Sequence, residues 1–193
     1  MQCATRKFCK PLKIATIAAT LTGVILGAAF AATQGTLGTN STGSITISVT
    51  KPARARITNL NDLTAASWII GGGNQVLTDD VCVYSTRPSG GYTVKATGSG
   101  SAGAFTLANG ASLLPYTVIW NSAGVGALAN TGTALTATVT SAALTKAATD
   151  SSTCNGTTAG PTARLVVTIS AANLTAVVAG TYTGTITLLA TPN

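Results

Sequence analysis

The end of the chain constrains its fold more than any other stretch. Over residues 180–193, Tyr182, Ile186, Leu188 and Ala190 fall on one face of an extended chain, and Thr181, Thr183, Thr185 and Thr187 on the other. A period of two is the mark of a β-strand with one face buried and one in water. A second alternation lies near the front, where Ile45, Ile47 and Val49 interleave with Thr46, Ser48 and Thr50. Between these two, short apolar runs over 54–60, 81–85, 92–97, 104–107, 114–120, 133–140 and 164–170 are divided by turn residues. Pro88-Ser-Gly-Gly91, the glycines of 98–103 and the hairpin pair Asn109-Gly110 are the clearest of these. Many short strands at this spacing predict an all-β sandwich or barrel. Only residues 171–178 are expected to make a helical turn.

Residues 1–31 read as an export signal. Arg6, Lys7, Lys10 and Lys13 form a positive start, an apolar run follows to Phe30, and Ala29-Phe30-Ala31 offers the small-x-small site of a signal peptidase. A retained membrane anchor is the competing reading, weakened by Thr16, Thr20 and Thr22. Cys3 and Cys9 precede the apolar run and would leave with it, and neither sits in a lipobox. Cleavage after Ala31 leaves 193 − 31 = 162 residues, the size of one domain. Residues 32–52 then form a flexible N-terminal segment carrying the first alternation, and 53–193 the β-domain.

The full chain carries a formal charge of +7, which falls to about +3 once the four basic residues of the signal are gone. Lys51, Arg54 and Arg56 approach a cluster, but without the interleaved aromatics that nucleic-acid binders use. A solvated strand edge explains them, and no nucleic-acid partner is expected. Cys82 and Cys154 remain in the exported chain, an even count that predicts one disulfide. Closing a loop of 154 − 82 = 72 residues, it would contribute roughly 4 kcal/mol in the chain-entropy account.

The residues for catalysis are scarce. There is no histidine or glutamate, and the acids are Asp62, Asp79, Asp80 and Asp150. A Ser-His-Asp triad is therefore impossible. Asp79 and Asp80 would have to act as a carboxylate pair or hold calcium, yet they point to opposite faces if extended and supply too few oxygens if not. They read instead as a solvated turn before Val81. Gly71-Gly-Gly73 lacks the Lys-Ser/Thr of a phosphate loop and reads as a connector. Trp68, Trp120, Tyr84, Tyr92, Tyr116 and Tyr182 could form a sugar platform, but aromatics at alternating positions are usually core. No enzyme activity, cofactor or metal is expected.

Four stretches occur in an order that resembles a known group: Gly43-Ser-Ile-Thr-Ile-Ser-Val-Thr50, Gly91-Tyr-Thr-Val-Lys-Ala-Thr97, Leu114-Pro-Tyr-Thr-Val118 and Ala179-Gly-Thr-Tyr-Thr-Gly-Thr-Ile-Thr-Leu188. Together they are similar to the spore-coat-protein-U-like group of bacterial secreted proteins, which includes subunits of archaic chaperone–usher pili. The resemblance implies an incomplete immunoglobulin-like (pilin-type) β-sandwich, completed by donor-strand exchange. Ile45, Ile47 and Val49 become the donor knobs, and Tyr182, Ile186 and Leu188 belong to the strand over 181–190 that borders the acceptor groove. It implies a periplasmic chaperone, an outer-membrane usher and other copies of the chain as partners, with passage through the periplasm to a surface fibre serving adhesion or biofilm formation. Two departures stand out. Residues 54–60 hold no cysteine, and Gly184 stands where the group often has Asp. The alternative is a self-contained secreted sandwich, either a glycan- or host-protein-binding module or a spore or surface coat protein.

Overall fold

Strand formation follows the alternation of apolar residues, and wherever a stretch finds no partner the strand is missing. The computed structural model describes residues 32–126, 128–155 and 160–193. The export signal expected over residues 1–31 lies outside them. The chain divides into two units, Met1–Thr50 and Lys51–Asn193.

In the first unit, Thr33 and Ser44 exchange two main-chain hydrogen bonds of 2.9 and 3.0 Å. Residues 45–50 form no ladder, so the strand expected over 44–50 is absent beyond this single bridge. An extended chain becomes a strand only when its N–H and C=O groups meet another chain. Ile45, Ile47 and Val49 are exposed by 75%, 86% and 94%.

The second unit holds β1 (Ala55–Thr58), β2 (Gln75–Ser85), β3 (Tyr92–Gly98), β4 (Thr106–Asn109), β5 (Ser112–Pro115), β6 (Thr117–Asn121), β7 (Thr133–Leu135), β8 (Ala163–Ile169), the short helix α1 (Ala171–Ala176) and β9 (Ile186–Pro192). One layer is a five-stranded antiparallel sheet in the order β1-β2-β8-β6-β7. The other comprises the pairs β3-β9 and β4-β5, connected through a bridge between Ala108 and Thr183. Val81, Val83, Val118, Trp120, Leu165 and Val167 from the first layer meet Tyr92, Val94, Ala96 and Leu114 from the second in one core. The fold is an all-β sandwich of antiparallel sheets. The Asn109-Gly110 hairpin forms as expected, with Asn109 opposite Ser112 and Gly110 at a φ of 58° that suits glycine.

Several expectations change. Asp79 and Asp80 are in the middle of β2, not in a turn, because the Gln75-Leu77-Asp79 face continues the strand toward the core. The run over 114–120 is two strands, since the chain changes layers between Pro115 and Thr117: β5 pairs with β4, and β6 with β7 and β8. Residues 181–190 are likewise interrupted. Thr183 bridges to β4, and the ladder with β3 starts only at Ile186. Of the run over 133–140 only Thr133–Leu135 is a strand, and Thr138 adopts a φ of 64° that breaks the extension.

An apolar groove as the candidate functional site

The two ends of the sandwich are built differently. At one end, Trp120 of β6 donates its indole N–H to the Tyr92 hydroxyl of β3 at 2.9 Å, which joins the layers through a buried polar contact. Burial pushes the Tyr92 phenol up to about 12, against the lowering effect of the Trp120 bond. Beside this contact the second half of β2 is covered on both edges. β1 pairs with residues 82–85, while Thr162 and Ala148 hydrogen-bond the opposite edge at Val81, Val83 and Ser85. The predicted disulfide is present, with an S–S distance of 1.98 Å and Cα atoms 5.5 Å apart. It ties the five-stranded sheet to the polar stretch that follows Asp150, and both cysteines are fully buried.

The other end is open. β1 stops at Asn59, whose φ of 63° turns the chain away, so β2 loses its β1 partner over residues 75–81. What opens there is a groove of about 770 Å³. Its floor is the inner face of β2 and β8, with Leu77, Leu165, Val167 and Ile169. One wall is β9, with Ile186 and Leu188, and the irregular segment 60–68 also lines it. Leu107 and Leu114 of the β4–β5 hairpin and Leu174 of α1 complete the lining. The helix is held by its Ser170 cap and by a 2.9 Å hydrogen bond from Asn173 to the Pro115 carbonyl. Among the described residues β9 has a ladder partner on one edge only, β3.

Three of the polar side chains that line this groove are in different states. Asp79 is 5% exposed, and its carboxylate accepts two 3.0 Å hydrogen bonds, from the Asn61 main-chain and side-chain N–H groups. That pair fastens the start of the segment 60–68. The Tyr182 hydroxyl is bonded to Ser112 at 2.7 Å and donates to the Val178 carbonyl at 2.9 Å. Tyr116 is also 5% exposed, stacks on Phe105 with centroids 5.6 Å apart, and its buried hydroxyl has no hydrogen-bond partner. Burial raises the Tyr116 phenol above its ordinary range. An unmet buried hydroxyl costs about 1–3 kcal/mol.

Of the residues expected at the acceptor edge, Ile186 and Leu188 lie on β9 and face the groove. Tyr182 lines the groove too, but from the crossing segment ahead of β9 rather than from the strand. The crossing also accounts for Gly184. A Cβ there would come within 2.8 Å of the Ser99 Oγ, 2.9 Å of the Leu107 Cδ2 and 3.2 Å of the Thr106 carbonyl, so an aspartate would require these neighbours to shift. Asp79 and Asp80 do not form a pair. Asp79 faces inward to Asn61, while Asp80 faces outward in a two-pronged ion pair with Arg164 at 2.5 and 2.8 Å. Trp120, Tyr92 and Tyr116 are buried core residues, which removes them from any sugar platform. Sequence reasoning missed Leu63, Leu77 and Leu174 as groove lining. The Gln75-Leu77-Asp79 alternation was a readable signal for the second of these.

Among the described residues no three His, Cys, Asp or Glu side chains gather as a metal site would need, and no helix is long and apolar enough to cross a membrane. No protein-family model and no curated protein matches the sequence. A solved chain from a chaperone–tip adhesin complex, described as vital for synergistic activation of CFA/I fimbriae biogenesis, is similar over 72% of this chain at 19% identity and a TM-score of 0.45. This chain covers 41% of that one.

Proposed function

We propose that this chain is a structural subunit of a bacterial surface fibre whose copies join by donor-strand exchange. Residues 44–50 of one copy enter the groove of the next, with Ile45, Ile47 and Val49 as knobs, and pair with the free edge of β9. The observation that carries the reading is an apolar groove beside an edge strand and, on the same chain, an apolar alternation with no ladder of its own. The lengths agree: β9 has seven residues, as does the stretch 44–50. Burying two isoleucines and a valine is worth roughly 4.5–9 kcal/mol at about 1.5–3 each. That is comparable to the whole stability of a domain, about 5–15 kcal/mol. An unfilled subunit is therefore marginal and presents an aggregation-prone edge.

The resemblance to the spore-coat-protein-U-like group supports the same reading. It adds a periplasmic chaperone that covers the groove in transit, an outer-membrane usher, and a role in adhesion or biofilm formation. The test is a denaturing gel of the exported protein with and without boiling, for wild type and Ile45→Asp. The wild type is expected to give a ladder that collapses on heating, and the variant a single band at undiminished export. Fibres from Ile45→Asp, or a single wild-type band in both lanes, would replace this reading with a self-complete secreted binding module.

A further inference from the structure

The groove is lined by two tyrosines whose hydroxyl groups have opposite fates. Tyr182 satisfies its own within the domain, through Ser112 and Val178. Tyr116 does not, although it is as buried as the core around it and is held by stacking on Phe105 and by a 3.0 Å main-chain hydrogen bond to the same residue. A polar atom that finds no partner in a folded domain calls for an explanation. Trp120, Tyr92, Ser85, Asp79 and Asn121 are also buried, and all are hydrogen-bonded; the Arg56 Nε on β1, which is not part of the groove lining, shares the lack of a partner.

We infer that the Tyr116 hydroxyl is a specificity-determining contact for the strand that fills the groove, donating a hydrogen bond to a main-chain carbonyl of that strand. The inference rests on the strand-exchange reading and deepens it. The inward residues of the donor stretch, Ile45, Ile47 and Val49, carry no polar side-chain atom, so the carbonyls are the acceptors that the stretch can bring to an apolar groove. Insertion must part the lining side chains to reach the hydroxyl. The segment 60–68, which has no ladder, is the wall able to give way. The unmet hydroxyl then acts in two directions. It burdens the empty subunit, and it rewards a backbone in the groove over a loose apolar filler, which would leave it unpaired.

This predicts opposite signs for a single substitution. The receiver is the full exported chain with Ile45→Asp, so that its own stretch cannot fill a neighbour, and the probe is a labelled synthetic peptide of residues 43–51. Adding Tyr116→Phe to the receiver is expected to speed peptide dissociation roughly five- to tenfold, the scale of one hydrogen bond. The unfolding midpoint without peptide is expected to stay level or rise. Equal dissociation rates from the two receivers, with peptide bound by both, would overturn the role of Tyr116 and leave strand exchange standing. A lower midpoint with unchanged dissociation would assign the hydroxyl to the fold alone. Failure of the peptide to bind either receiver would overturn strand exchange and this inference with it.

Discussion

The two halves of β2 are one strand in two environments. From Cys82 to Ser85 it is hydrogen-bonded on both edges and joined to the chain near Asp150 by the disulfide. From Gln75 to Asp79 it has β8 on one edge and forms the floor of the groove. The difference shows where the domain stores its stability and where it does not. The closed end is tied by the Trp120–Tyr92 bond and the disulfide, and the open end is an unfilled apolar groove. Local stability in a protein is uneven for the same reason: regions with few buried contacts open first.

The largest expected effect breaks the comparison at the closed end. Trp120→Ala should cost about 3–5 kcal/mol by urea unfolding, the range for removing a large buried aromatic. Leu188→Ala at the open end should cost no more than about 1 kcal/mol in the Ile45→Asp chain, where nothing fills the groove, because its side chain is only partly covered. Adding the 43–51 peptide should raise that cost into the range of a buried leucine, about 2–5 kcal/mol. Equal costs with and without peptide would mean that the groove is not the site of insertion.

Next in size is the disulfide. Replacing Cys82 and Cys154 with alanine should remove roughly 4 kcal/mol, the entropy of a closed loop with a sequence separation of 72. Peptide dissociation should stay unchanged, since the bridge lies away from the groove lining. A loss of peptide binding in a variant that is still folded would show the two ends to be coupled.

The smallest effect concerns pH. The Arg164 hydrogen bonds hold the Asp80 carboxyl below its ordinary value, against a lesser opposing effect of burial. A carboxyl lowered in the folded state contributes stability that is complete above its unfolded value, and that contribution is lost as pH falls through the lowered one. The melting temperature should therefore dip below about pH 4, and Asp80→Asn should remove that component. The pair is partly exposed, so the change should be smaller than either of the others.

The strands over 92–97 and 164–170 and the Asn109-Gly110 hairpin were legible because local alternation and turn chemistry settle them. Asp79 and Asp80 were misread for a corresponding reason. Neighbouring acids look like a turn until Asn61 and Arg164, distant in sequence, give each face a partner. Ile186 and Leu188 were legible as an apolar face, but Tyr182 was assigned to the same strand because nothing local reveals the crossing at Gly184. Tyr116 gave no signal at all, since whether a hydroxyl is met depends on what surrounds it.

By itself the sequence determined an all-β chain, the pairing of Cys82 with Cys154, and the apolar faces at 45–49 and 186–190. These follow from side-chain alternation and residue counts, which are properties of neighbours along the chain. Tertiary structure alone decided which edge of β9 stays unpaired, how β1 turns away to open the groove, and that Tyr116 is left without a partner inside it. These depend on which distant segments meet, and hydrogen bonding and burial are settled only where they do.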